Sequence, residues 1–209
     1  MHTEILSEEQ KNLLPLIKLF SKDYYLVGGT AIALQIGHRR SIDFDLFTGK
    51  RIQRTDIKKR ISEESSPSFV SMYESSDQLH LKIKEVKVTF FQFPFSVPAT
   101  IDFNDIIQMP SLLDLAAMKA FAFAERAKWK DYVDMYFILK YHHSLVEICK
   151  KTEHLFNTEQ TVVFTKKLFR QQLCFFNDLD YSEQVEFVTT PVSDEEIKNF
   201  LTDAATQPF

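Results

Sequence analysis

The chain has 209 residues, 44% hydrophobic and 26% charged, with a formal net charge of −4, enough length to bury a sizeable core as one domain or two packed halves. That negative balance excludes a general nucleic-acid coat. The polar, acidic start from Met1 to Leu14 and the lack of a long apolar run exclude a signal peptide and a membrane span, so a cytoplasmic protein with no membrane partner is expected. Cys149 and Cys174 have no metal-ligand spacing and read as small buried hydrophobes. Twenty phenylalanines against four glycines predict a thick aromatic core, each buried ring contributing about 1.5–3 kcal/mol.

In chain order, Ser7-Glu8-Glu9-Gln10 has capping-box spacing ahead of Leu13, Leu14, Ile17 and Phe20, which predicts an amphipathic helix. Tyr24 to Val27 reads as an apolar strand, Gly28-Gly29 as a turn opening a short helix, and Ser41 to Phe47 as a second strand. A short helix from about 55 to 64 is closed by Pro67, and three strands follow near 69–73, 79–84 and 86–93. Pro94, Pro98 and Pro110 mark a loop region carrying Ile101-Asp102-Phe103. From Ser111, with Asp114 three residues on, the pattern is helical. Further helices are predicted from Asp131, within 161–176, and at Ser193-Asp194-Glu195-Glu196. The resulting organisation is an α/β core over 1–108 and a helical domain over 109–209 that would complete an active-site cleft.

Strand side chains alternate, so Asp43 and Asp45 are expected on one face, with Ile42, Phe44 and Leu46 on the other. Paired acids of this kind repel each other unless a cation joins them, and hard oxygen ligands suit magnesium that also carries substrate phosphates. The Gly28-Gly29 turn at a helix start offers free N–H groups to an anion. Arg39-Arg40 and the basic residues from Lys50 to Arg60 add positive charge on both sides of the acidic strand, although Lys58-Lys59-Arg60 alone reads as a solvated helix face.

The string from Val27-Gly28-Gly29-Thr30 through Arg39-Arg40-Ser41-Ile42-Asp43-Phe44-Asp45 resembles the opening motif of the nucleotidyltransferase fold, and more narrowly that of the AbiEii/AbiGii-type nucleotidyltransferase family, which includes toxins of bacterial toxin–antitoxin and phage-abortive systems. Leu113 to Lys119, Arg126 and Lys130-Asp131-Tyr132-Val133-Asp134 are similar to a second motif of that family, in which a helical Lys and a following Lys-Asp-x-x-Asp segment complete the site. The implied fold is α+β, a nucleotidyltransferase-like mixed sheet with flanking helices followed by an all-helical carboxyl-terminal half.

The implied activity is transfer of a nucleoside monophosphate from a nucleoside triphosphate to an RNA, tRNA-like, or protein acceptor, with Mg2+ or Mn2+ as cofactor and a cognate antitoxin as a partner. The implied roles are metal binding for Asp43 and Asp45, a triphosphate cradle of Gly28, Gly29 and Thr30 with Arg40, phosphate-charge stabilisation by Lys119, and a catalytic contribution from Asp131. Arg126 is expected to lie peripherally, two turns beyond Lys119. Asp131 and Asp134 also have the spacing of a helix cap and its third-position partner. The family pattern places a third acid on a later strand, where this chain has Lys87 or Thr89, with Glu85 and Asp102 as substitutes. That departure keeps a second reading open, a catalytically inactive nucleotide-binding regulatory or interaction module.

Overall fold

The structure, a computed structural model, describes residues 1–65, 68–123 and 128–208. They form two compact units, Met1–Ser111 and Leu112–Phe209. In the first unit, Ser7 and Gln10 close a capping box at the start of α1 (Glu8–Lys18), satisfying two backbone donors that the helix itself leaves unpaired. Then come β1 (Tyr25–Val27), α2 (Gly28–Ile36), β2 (Phe44–Thr48), α3 (Arg54–Ser65), β3 (Phe69–Glu74), β4 (Gln78–Ile83) and β5 (Val86–Gln92). The strands make one mixed sheet in the order β1-β2-β5-β4-β3. β2 and β5 run parallel and the other neighbours antiparallel.

One face of this sheet is apolar and covered. Leu26, Phe44, Leu46, Leu79, Leu81, Ile83, Val88 and Phe90 are all buried. Phe20 and Tyr24, after α1, meet Phe90 edge-on at 4.8 and 5.3 Å between ring centroids. Of the expected apolar face, Ile42 departs. It is 60% exposed, because β2 begins only at Phe44 and Ile42 and Asp43 precede the strand. The proline-punctuated region is also more than a loop. It holds a hairpin of β6 (Ala99–Phe103) and β7 (Ile107–Pro110), turned by Asn104 and Asp105, both at positive φ, with the Ile106 amide donating to the Phe103 carbonyl. Asn and Asp tolerate that left-handed backbone, which a tight hairpin turn needs.

The second unit contains α4 (Leu112–Ala122), α5 (Trp129–Tyr141), α6 (Leu145–Phe156), α7 (Lys166–Leu173) and α8 (Asp194–Thr206). α5 starts at Trp129, not Asp131, because the Trp129 amide donates to the Asp180 carbonyl and Lys128 takes the cap position. The helix expected over 161–176 shortens to α7. The Asn157 side-chain oxygen accepts from the amides of Val163 and Phe164, which holds that stretch out of the helix, and Thr165 then caps it. At α8 Ser193 caps as the sequence predicts. Pro67 and Arg126 lie outside the described residues.

Candidate active site

On the other face of the first unit's sheet runs a cross-strand row: Val27 opposite Asp45, Asp45 opposite Thr89, and Thr89 opposite His80. α2 starts immediately after β1, and its cap residue Val27 supplies no side-chain hydrogen bond. The first N–H groups of an α-helix lack intrahelical partners, so this end remains open to an anion. Gly28 has φ +75°, and a Cβ there would lie 3.2 Å from Cγ of Asp45 and closer still to Oδ2. The Asp45 carboxylate therefore sits directly on the helix start, a position that only glycine permits.

Gly29 is crowded from the other side, since a Cβ would fall 2.6 Å from the Arg39 guanidinium. Arg39 is buried and donates to the Arg40 carbonyl. Arg40 itself reaches back to the carbonyl of Glu4, 3.2 Å away. Of the two arginines, Arg39 is thus the one packed at the glycines, and the charge pattern of the sequence does not separate them. Thr30 is buried, and its hydroxyl lies against the Asp43 carbonyl and 2.9 Å from Ser41 Oγ. It ties the segment carrying Asp43 to α2, which leaves its backbone, not its hydroxyl, as the group for a cradle.

Thr89 stands beside Asp45 where the family pattern has an acid, and its buried hydroxyl finds no hydrogen-bond partner. His80, half-buried, is held below the ordinary imidazole range by burial first and by the Lys87 charge second, with Asp45 pulling the other way. Asp102 is occupied in its hairpin by the Asp105 amide and the Gln108 side chain, and Glu85 pairs with Lys82 at 2.9 Å. Among the described residues no group of three or more His, Cys, Asp or Glu side chains is placed to share a metal ion.

In the second unit, Lys119 on α4 is buried and its ammonium lies 2.6 Å from Asp131 and 2.8 Å from Asp134, both on α5. The two acids are the third and sixth residues of α5, so the capping role open to them in the sequence is not the one they take. Instead they clamp the lysine. The basic run on α3 is likewise absorbed: Lys58 pairs with Glu74 and Arg60 with Asp56, as a solvated helix face would be.

Solved structures share this fold. MenT4, a nucleotidyltransferase toxin of Mycobacterium tuberculosis, superposes with a TM-score of 0.62 at 13% identity, covering 94% of this chain and 81% of its own. JHP933 of Helicobacter pylori gives 0.57 at 15% identity, with 96% and 91% covered. The chain belongs to the nucleotidyl transferase AbiEii toxin family, described as a type IV toxin–antitoxin system, whose model matches residues 17–206. A relative, the uncharacterized protein aq_aa25 of Aquifex aeolicus (strain VF5), is 34% identical over 124 residues. That match spans 57% of this chain and 59% of the relative.

Proposed function

We propose that this protein transfers a nucleoside monophosphate from a nucleoside triphosphate to a hydroxyl of an RNA acceptor, tRNA-like in kind, and that it is the toxin of a toxin–antitoxin or phage-defence pair with a cognate antitoxin. The observation that carries the reading is the Asp45 carboxylate lying on the uncapped, glycine-opened start of α2. Anionic phosphate and a divalent cation are the two ligands that such a pairing suits together.

The donors fit magnesium or manganese. Two hard carboxylates, Asp43 and Asp45, would hold the ion, with its remaining ligands coming from phosphates and water. When bound, the ion neutralises phosphate charge that builds as pyrophosphate leaves. The chain's own part is positioning. The α2 amides from Gly28 to Thr30 would fix the triphosphate, Arg39 would add charge at Gly29, and Thr30 would keep the Asp43 segment in place. Such electrostatic positioning carries most of a phosphoryl-transfer barrier. The role that the family resemblance gives Lys119, offsetting phosphate charge, requires its ammonium to release at least one of Asp131 and Asp134, while Asp131 in turn would hold and orient the lysine.

The test is incubation of the purified protein with α-phosphate-labelled nucleoside triphosphates, magnesium and bulk tRNA. Label should enter RNA with the wild type and fall at least about 100-fold with Asp45→Asn, the scale on which lost electrostatic stabilisation is measured. Thr89, standing where an acid is expected, favours one rival. If nucleotide binds but no label moves to RNA or protein, the inactive regulatory module replaces the enzyme.

A further inference from the structure

The polar row that starts at Asp45 and Thr89 continues past the metal-binding half of the site to His80 and then to Tyr73, its cross-strand neighbour on the edge strand β3. One row along the same face, Lys87 stands directly opposite Lys82. Three features of this strip lack an internal reason. Thr89 is only 7% exposed and its hydroxyl has no partner, a buried deficit that costs about 1–3 kcal/mol. Two like charges face each other across a strand pair, which is destabilising. Lys82 is offset by Glu85, whereas half-buried Lys87 has no carboxylate partner among the described residues. His80, meanwhile, is braced: one ring nitrogen lies 3.1 Å from the Gln78 side-chain oxygen and the Tyr73 ring packs 5.3 Å from its own.

We propose that this strip is the acceptor side of the transferase site and that it takes RNA, with the acceptor hydroxyl seated on Thr89, His80 receiving its proton, Lys87 meeting a backbone phosphate and Tyr73 offering a face to a base. The inference rests on the transferase reading above. Strands lie about 4.8 Å apart, so His80 stands one spacing beyond Thr89 and roughly 10 Å from Asp45, room for an α-phosphate and an attacking oxygen between them. In the reaction the hydroxyl oxygen bonds to the α-phosphorus and the bond from that phosphorus to the β-phosphate oxygen breaks. Pyrophosphate leaves with the electron pair, and the proton passes to His80 and on to water.

The groups facing the imidazole suit that task. Burial and the Lys87 charge on β5 disfavour its cationic form and Asp45 on β2 favours it, while Lys82 on its own strand is paired with Glu85 and Tyr73 on β3 packs against the ring; burial and Lys87 prevail, which favours the neutral form that can accept a proton. RNA is favoured over a protein hydroxyl because the lone ammonium of Lys87 near an exposed aromatic, Tyr73 being 53% exposed, matches a phosphodiester strand with unstacked bases.

The experiment uses the full chain with magnesium, labelled nucleoside triphosphate and bulk tRNA. His80→Gln should lower kcat about 100-fold, the low end of general-base contributions, with nucleotide affinity within twofold and the acid limb of the pH–rate profile lost. Free imidazole should restore part of the rate to His80→Ala. Lys87→Gln should raise the KM for tRNA and reduce the slope of log affinity against log salt by about 1. A wild-type rate and pH profile in His80→Gln, an unchanged salt slope in Lys87→Gln, or label entering protein but not tRNA would each overturn the inference while leaving nucleotide transfer in place. Absence of any transfer by the wild type overturns the transferase reading and this inference with it.

Discussion

Two residues show how tightly the candidate site constrains its own side chains. At Gly28 a positive φ and the Asp45 carboxylate act together against any Cβ. Gly28→Ala should therefore cost about 1–2 kcal/mol from backbone strain alone, and more once Asp45 is displaced, whereas Gly49→Ala, which meets nothing within 4 Å, should leave the denaturation midpoint unmoved. Equal effects at both glycines would show that the contact with Asp45 does not matter. Lys119 is the second case. Removing its charge in Lys119→Met takes the ammonium away from buried Asp131 and Asp134, and a broken buried pair costs about 3–5 kcal/mol. Urea unfolding should register a loss of that size, so activity measured on Lys119 variants has meaning only beside a folding control. A loss below 1 kcal/mol would mean that the clamp is not closed in solution.

At the scale of elements, the sheet is organised by one apolar face, and Phe90 is its keystone, fully buried and met edge-on by Phe20 and Tyr24. Phe90→Ala should cost about 3–5 kcal/mol, while Phe91→Ala on the half-exposed opposite face should cost clearly less; a denaturant titration of the two separates them. This alternation was legible in the sequence, because β4 and β5 switch between apolar and polar residues with period two, and so was the capping of α1 and α8. The β6–β7 hairpin was not, since its strands are short and its turn relies on Asn104 and Asp105 rather than on glycine. Nor was the shortened α7, whose limit is set by the side chain of Asn157, a contact that no local pattern encodes. For the candidate site, motif spacing pointed to Gly28 and Asp45. It could not show that Thr30 spends its hydroxyl on the chain, that Arg39 rather than Arg40 reaches Gly29, or that His80 joins the row, because these depend on strand register across non-consecutive elements.

At the scale of the whole molecule, the charged and phenolic groups define a stability plateau with two edges. On the acid side, carboxylates of both units are held low by their cations: Asp23 by Lys50, Glu74 by Lys58 and Glu196 by Lys140. At Glu183 burial would raise the value, but the ammonium groups of Lys128 and Lys130 outweigh it and hold the carboxyl at about 2. A folded value below the unfolded one stabilises fully above the ordinary carboxylate range, about 4–4.5, and that stabilisation drains as pH falls through the folded values. On the alkaline side, burial pushes Tyr24 and Tyr25 up to about 12. Their neutral phenols favour the fold below the unfolded value of about 10, and this contribution is lost as pH rises through 12. His80 and His142, held below the imidazole range by burial, cost stability once pH falls below the unfolded value of about 6.5, and buried Cys149, pushed up to about 11, loses its contribution as pH rises from about 8.5. Stability should therefore be greatest between about pH 7 and 8.5 and fall on both sides, rather than peak at the isoelectric point near 5.9. Glu183→Gln isolates one contribution to the acid edge. Its side chain is 37% exposed, so solvent screening reduces the roughly 3 kcal/mol implied by its shift to about 1 kcal/mol. Denaturant titrations at pH 7, 5 and 3 should show the variant less stable than the wild type at pH 7 by that amount, with the gap narrowing at pH 3. A gap that stays constant across those three pH values would mean that Glu183 does not carry its charge against Lys128 and Lys130 in solution.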